Sequence, residues 1–144
     1  MYELILVPLI AGLGAQMLKL LTDGIPNNFT LEHLVRDYGG MPSSHTAFVA
    51  ALATMVGLRE GFDSAVFAVA LLVFIVVVRD AVGFRREIGR NATLTNTIGK
   101  AVLKNKKINW LPERIGHTVP QVFVGFLFGS GIAVILFFAL FQTA

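Results

Sequence analysis

The chain has 144 residues, 55% of them hydrophobic and 15% charged, and its mean hydropathy of +0.71 lies far above that of an ordinary soluble domain. It contains no cysteine, which excludes disulfides and thiolate-bound metals and leaves three histidines as the groups that titrate near neutrality. The net charge of +3 conceals an asymmetry, because nine of the twelve Lys and Arg residues fall between Arg79 and Arg114, against only Asp80, Glu87 and Glu113.

The first apolar run, Leu4 to Leu21, opens without a basic leader (Met1-Tyr2-Glu3) and carries Gln16 and Lys19 near its far end. It is expected to be a retained helix and not a cleaved signal. In the loop that follows, Thr30 can cap a short helix from Leu31 to Tyr38 that Gly39-Gly40 ends, with His33 as a solvated loop residue. Pro42 then supplies a pre-set first-turn dihedral for the second run, Pro42 to Leu58. The uncharged part of that run, Thr46 to Leu58, would rise only about 20 Å. A hydrocarbon layer is about 30 Å thick, so this segment either borrows length from Pro42 to His45 or sits shielded inside a bundle. The turn at Arg59-Glu60-Gly61 is short enough to demand a tight antiparallel hairpin to the third run, Phe62 to Val82.

Between Gly83 and Gly116, Arg86, Arg90, Thr93, Thr97, Lys100 and Lys104 recur at helical spacing, with Ile88, Ala92, Thr95, Ile98 and Val102 on another side. This predicts a basic amphipathic helix in the headgroup zone, serving as an interfacial anchor or as a holder of an anionic substrate. The fourth run is Val119 to Phe141. The expected fold is therefore a single all-α integral-membrane domain over residues 1–144, a four-helix transmembrane bundle with a short loop helix and an interfacial helix. Four crossings bring Lys19, Pro42 to His45, Arg79, Asp80 and His117 to one membrane face. The positive-inside tendency places that face and the nine cations from Arg79 to Arg114 in the cytoplasm of a multi-pass cell-membrane protein. The two His-Thr pairs lie 72 residues apart, each after a loop that follows a span, a faint hint of duplication.

His45-Thr46 and His117-Thr118 each stand where a polar stretch meets an apolar run. A helix start offers unpaired backbone N–H groups and the positive end of the dipole, which suit a phosphate. Met41-Pro42-Ser43-Ser44-His45 adds two hydroxyls and an imidazole to such a start. Each residue also has an ordinary reading: Ser43 and Ser44 as caps, Asp80 with Arg79 as an ion pair, Lys19 as a snorkelling cation, the histidines as interfacial hydrogen-bonders. The small residues at Gly12 to Ala15 and Gly125 to Gly131 suit close helix contact, including contact between protomers.

Gly39 to His45, Arg79 to Arg86 and Gly116 to Val122 resemble the small divergent branch of the type 2 phosphatidic acid phosphatase superfamily, which also contains vanadium-dependent haloperoxidases. The resemblance implies that His117 attacks phosphorus and becomes phosphorylated, that His45 donates a proton to the leaving oxygen, and that Lys19 belongs to the first motif. Such chemistry needs no metal and no cofactor if cations stabilise the phosphoryl oxygens. The chain departs from the superfamily pattern at several places. Pro26-Asn27 stand where Arg-Pro is expected, and Leu111 and Gln121 replace an arginine and an aspartate around His117. Arg79, Arg85, Arg86 or Arg114 are candidate replacements for the missing arginine grips, with Ser43 and Ser44 as further phosphate ligands. Asp80 and Gln121 are candidates to orient His117.

The function so expected is a metal-independent phosphatase acting on a lipid phosphate or pyrophosphate through a phosphohistidine. The alternative is a non-catalytic membrane protein that binds phosphate or anionic lipid. Transport is a weaker third reading, since four spans leave little room for a gated path. The partners expected are membrane lipid and a phosphate-bearing substrate, with a second copy of the chain as a further candidate and no nucleic acid.

Overall fold

The computed structural model describes residues 2–22, 40–102 and 111–141. These form five helices: α1 (Glu3–Thr22), α2 (Ser44–Glu60), α3 (Ala65–Val82), α4 (Phe84–Val102) and α5 (Val119–Phe141). No strand occurs among the described residues. The loop helix expected at Leu31 to Tyr38 lies outside them. Two helical stretches, within Ala65–Val102 and Val119–Leu140, are long and apolar enough to cross a membrane.

α2 is the centre of the bundle and packs against α1, α3 and α5. Its modest hydropathy follows from that position, because a helix walled by other helices is filled with small residues. Ala47, Ala50, Ala51 and Ala53 are buried along it, and Met55 is fully enclosed. One core cluster joins Val7 and Ala11 of α1 to Ala51 and Met55 of α2 and Ala133 of α5; a second joins Ala53 and Val56 to Ala70 of α3. The large apolar side chains face outward instead: Val69, Leu72 and Val76 of α3 and Phe123, Leu127 and Ile135 of α5 are exposed. Small inside and large outside is the arrangement expected where the surroundings are as apolar as the interior.

α2 and α5 run parallel, as the order of their contacts requires. The Ser43 N–H donates to Gln121 O at 3.2 Å. One turn on, a Cβ at Gly125 would lie 2.6 Å from Ser43 O, and at Gly129 2.1 Å from Ala47 O. Further along, the Thr54 hydroxyl donates to Ser130 Oγ at 3.1 Å. The glycine pair Gly125 and Gly129 is thus spent inside the protomer, letting α5 lie against the first turns of α2.

The hairpin from α2 to α3 closes at Gly61, whose φ of +93° is in the left-handed region. Ser64 caps α3 by accepting from Phe67 N at 3.1 Å. Pro42 does not open α2 as expected. The helix begins at Ser44, because the Ser43 hydroxyl takes the cap by accepting from Thr46 N and from the Thr46 hydroxyl at 2.9 Å.

Candidate functional site

His117 is placed by three local devices. Gly116 has φ +88°, and a Cβ there would lie 2.5 Å from Arg86 N, so only glycine lets the chain pass over the start of α4. The His117 N–H then donates to Ala81 O at the end of α3 at 3.0 Å. Finally, Thr118 and Gln121 form the start of α5, with the Gln121 side-chain oxygen accepting from Thr118 N at 2.8 Å, the backward reach of a capping box. The imidazole is buried, with 5% of the residue exposed.

His117 is a shared wall between two cavities. The larger, about 440 Å³, is bounded by Arg86, Arg90 and Thr93 of α4 and by Glu113 to Thr118 and Gln121. Among the described residues its cations, Arg86, Arg90 and Arg114, outnumber its one acid, Glu113. The smaller, about 220 Å³, is lined by His45, Val76, Val77, Asp80, Ala81, Arg85 and His117. The two imidazoles that stand 72 residues apart in sequence therefore face one cavity, at the N-terminal ends of two parallel helices. Dipole direction at such ends favours an anion there, while the Thr46 and Thr118 amides are held by the Ser43 and Gln121 side chains.

The remaining expected residues divide. Asp80 and Arg85 reach the smaller cavity, bound to each other through Arg85 Nε and Asp80 Oδ2 at 2.5 Å. Arg86 and Arg114 reach the larger. Arg79 is exposed at the end of α3, and Lys19 is buried in the last turn of α1. Among the described residues neither cavity wall includes Arg79, Lys19, Ser43 or Ser44. Ser43 is fully buried as the α2 cap and bond partner of Thr46. The Gln121 side-chain oxygen accepts from the Thr118 N–H.

Sequence reasoning missed Asn96. Its side chain is buried on α4 and clasps the segment before His117: Nδ2 donates to Leu111 O at 2.8 Å and to Glu113 Oε1 at 2.7 Å, and Oδ1 accepts from Leu111 N at 3.0 Å. Gly89, two turns earlier on the same face, lets Glu113 and Ile115 lie directly on α4, where a Cβ would meet both carbonyl oxygens at 2.8 Å. A polar residue inside an amphipathic pattern reads as solvated, so the pattern alone gave no signal. Asn96→Ala would leave buried polar groups without partners, at a cost of about 1–3 kcal/mol. Thermal unfolding in detergent should show that loss.

The hydrogen bond from Asn96, aided by one from Thr93 and by the charge of Lys100, holds the Glu113 carboxyl below its ordinary value of 4.5. A carboxyl lowered on folding contributes stability above its unfolded value and loses it as pH falls through the folded one. Thermal unfolding in detergent should thus hold its midpoint as pH falls from about 7 to 5 and lose it on acidification below the usual carboxylate range, and Glu113→Gln should remove that dependence. An unchanged acid dependence in Glu113→Gln would contradict the clasp.

Residues 2–132 match the model of the divergent PAP2 family. The chain belongs to that family. It is similar to the uncharacterized membrane protein YuiD of Bacillus subtilis (strain 168), 35% identical over 147 residues that cover 90% of this chain and 92% of the relative. No solved structure matches. Within the divergent PAP2 family, this chain is a membrane protein of all-helical build, as its outward-facing apolar side chains require.

Proposed function

We propose that the protein is a four-span, metal-independent phosphatase of the cell membrane that hydrolyses a lipid phosphate or pyrophosphate at the cytoplasmic leaflet. The spans are α1, α2, α3 and α5, and α4 lies along the headgroups with its cations toward the site. The observation that carries the reading is the shared cavity of His45 and His117, with Arg85 in its wall and Arg86 and Arg114 on the other side of His117. A ring nitrogen of His117 attacks phosphorus and a P–N bond forms as the P–O bond to the lipid breaks. Protonated His45 gives its proton to the departing oxygen, and the arginines balance charge on the equatorial oxygens. Water then attacks the phosphohistidine, His45 takes one of its protons, and inorganic phosphate leaves. Asp80, held by Arg85, supplies the carboxylate of the cavity.

Purified protein in detergent, with chelator present, should release phosphate from phosphatidic acid, phosphatidylglycerophosphate or a polyprenyl pyrophosphate. Absence of release from all three would defeat the proposal. A second reading, anion binding without turnover, is favoured by the use of Gln121 as a cap partner, since the superfamily has an aspartate in that place. Vanadate binding without hydrolysis, lost in His45→Ala, would establish it.

A further inference from the structure

The two cavities that meet at His117 differ in kind. The larger is walled mainly by cations and backbone. The smaller is lined by Val76, Val77, Asp80 and Ala81 on one face of α3 together with His45, Arg85 and His117, so its α3 wall is apolar at Val76 and Val77 and charged one turn on at Asp80. Val76 is 65% exposed and continues the outward apolar face of α3 formed by Val69 and Leu72. The smaller cavity therefore runs from that face to the two imidazoles.

We propose that this slot beside Val76 and Val77 holds the first carbons of the alkyl part of an amphiphilic phosphate, admitted sideways from the hydrocarbon layer, while its phosphate lies against His117. The inference rests on the phosphate reading of the two histidines and adds the route and the determinants of chain selectivity. Charge decides the direction of binding: the phosphate pairs with Arg85, Arg86 and Arg114, and the apolar remainder is left the Val76 and Val77 end of the slot, one turn away from Asp80. In this pose the oxygen that joins alkyl and phosphoryl groups lies on the His45 side, where a proton donor for the leaving group is needed.

The absence of native cysteine allows a direct test on the full chain in vesicles. Val76→Cys marks the slot and Thr93→Cys marks the larger cavity, each read by its rate of maleimide labelling with hexadecylphosphonate or with inorganic phosphate present. The expected result is that the phosphonate slows labelling at Val76→Cys and inorganic phosphate does not, while both slow it at Thr93→Cys. Protection by the phosphonate at Thr93→Cys alone would overturn the slot and leave the phosphate reading standing. Protection at Val76→Cys in a protein that hydrolyses nothing would keep the slot and defeat the phosphatase. Protection nowhere would overturn both. As a second measurement, Val76→Trp should lower kcat/KM for a long-chain phosphate by about tenfold or more, the scale of apolar pocket discrimination, with the chain-length dependence of the parent flattened. A chain-length dependence as steep as the parent's would rule the slot out.

Discussion

His117→Asn is expected to lower phosphate release by a factor on the order of 10⁴ to 10⁶, the scale seen when a covalent nucleophile is removed. The variant should still fold, because the contacts that position His117 are made by backbone: its N–H to Ala81 O and the Gly116 crossing over α4. His45→Ala should cost less, about 10² to 10⁴ on a lipid phosphate, as for loss of a general acid. The two variants are separated by the leaving group. A nitrophenyl phosphate departs without needing a proton, so His45→Ala should recover most of its rate on that substrate, whereas His117→Asn should not. A His117→Asn protein as active as the parent would end the phosphohistidine mechanism. A His45→Ala protein equally impaired on both substrates would remove the acid role from His45.

The second large effect arises far from any ligand. Gly129→Val would place a Cβ 2.1 Å from the Ala47 carbonyl oxygen, and backbone there cannot swing aside as a flexible side chain can. α5 would have to withdraw from α2, at a cost of about 1–3 kcal/mol or more for overpacking. Because the same helix pair carries His45 and His117 at its start, the shared cavity should open and turnover should fall with stability. Gly131→Ala is the matched control: nothing lies within 4 Å of its Cβ, and alanine is the better helix former by about 1 kcal/mol. It should melt at or above the parent temperature with full activity. Equal tolerance at Gly129 and Gly131 would contradict the α2–α5 packing.

Much of this arrangement was legible in the chain because it depends on hydropathy and on parity. The four apolar runs coincide with α1, α2, α3 and α5 to within about three residues at each end, the usual scatter of helix boundaries. The short second run left two readings open, length borrowed from Pro42 to His45 or a place inside the bundle, and α2 takes the second. The expected even count of crossings would bring His45 and His117 to one end, and the two line one cavity. What stayed hidden depends on which of two acceptors a side chain finds. The Gln121 side-chain oxygen serves the Thr118 amide as a cap, a use that its place four residues after His117 did not disclose. Asn96 looked like one more polar residue of α4 until Leu111 and Glu113 were seen against it. The small residues around Gly125 were legible as a close contact, but not whether the contact lay within one protomer or between two.

The bond between the His117 amide and the Ala81 carbonyl hitches the proposed nucleophile to the end of α3. A helix that tilts to match a thinner or thicker bilayer carries with it whatever is tethered to its tip. Turnover measured in a series of vesicles of graded acyl length should accordingly peak at one thickness, and replacement of detergent by bilayer should sharpen that optimum. Such a protein would gauge the thickness of its host membrane through the same atoms with which it cleaves.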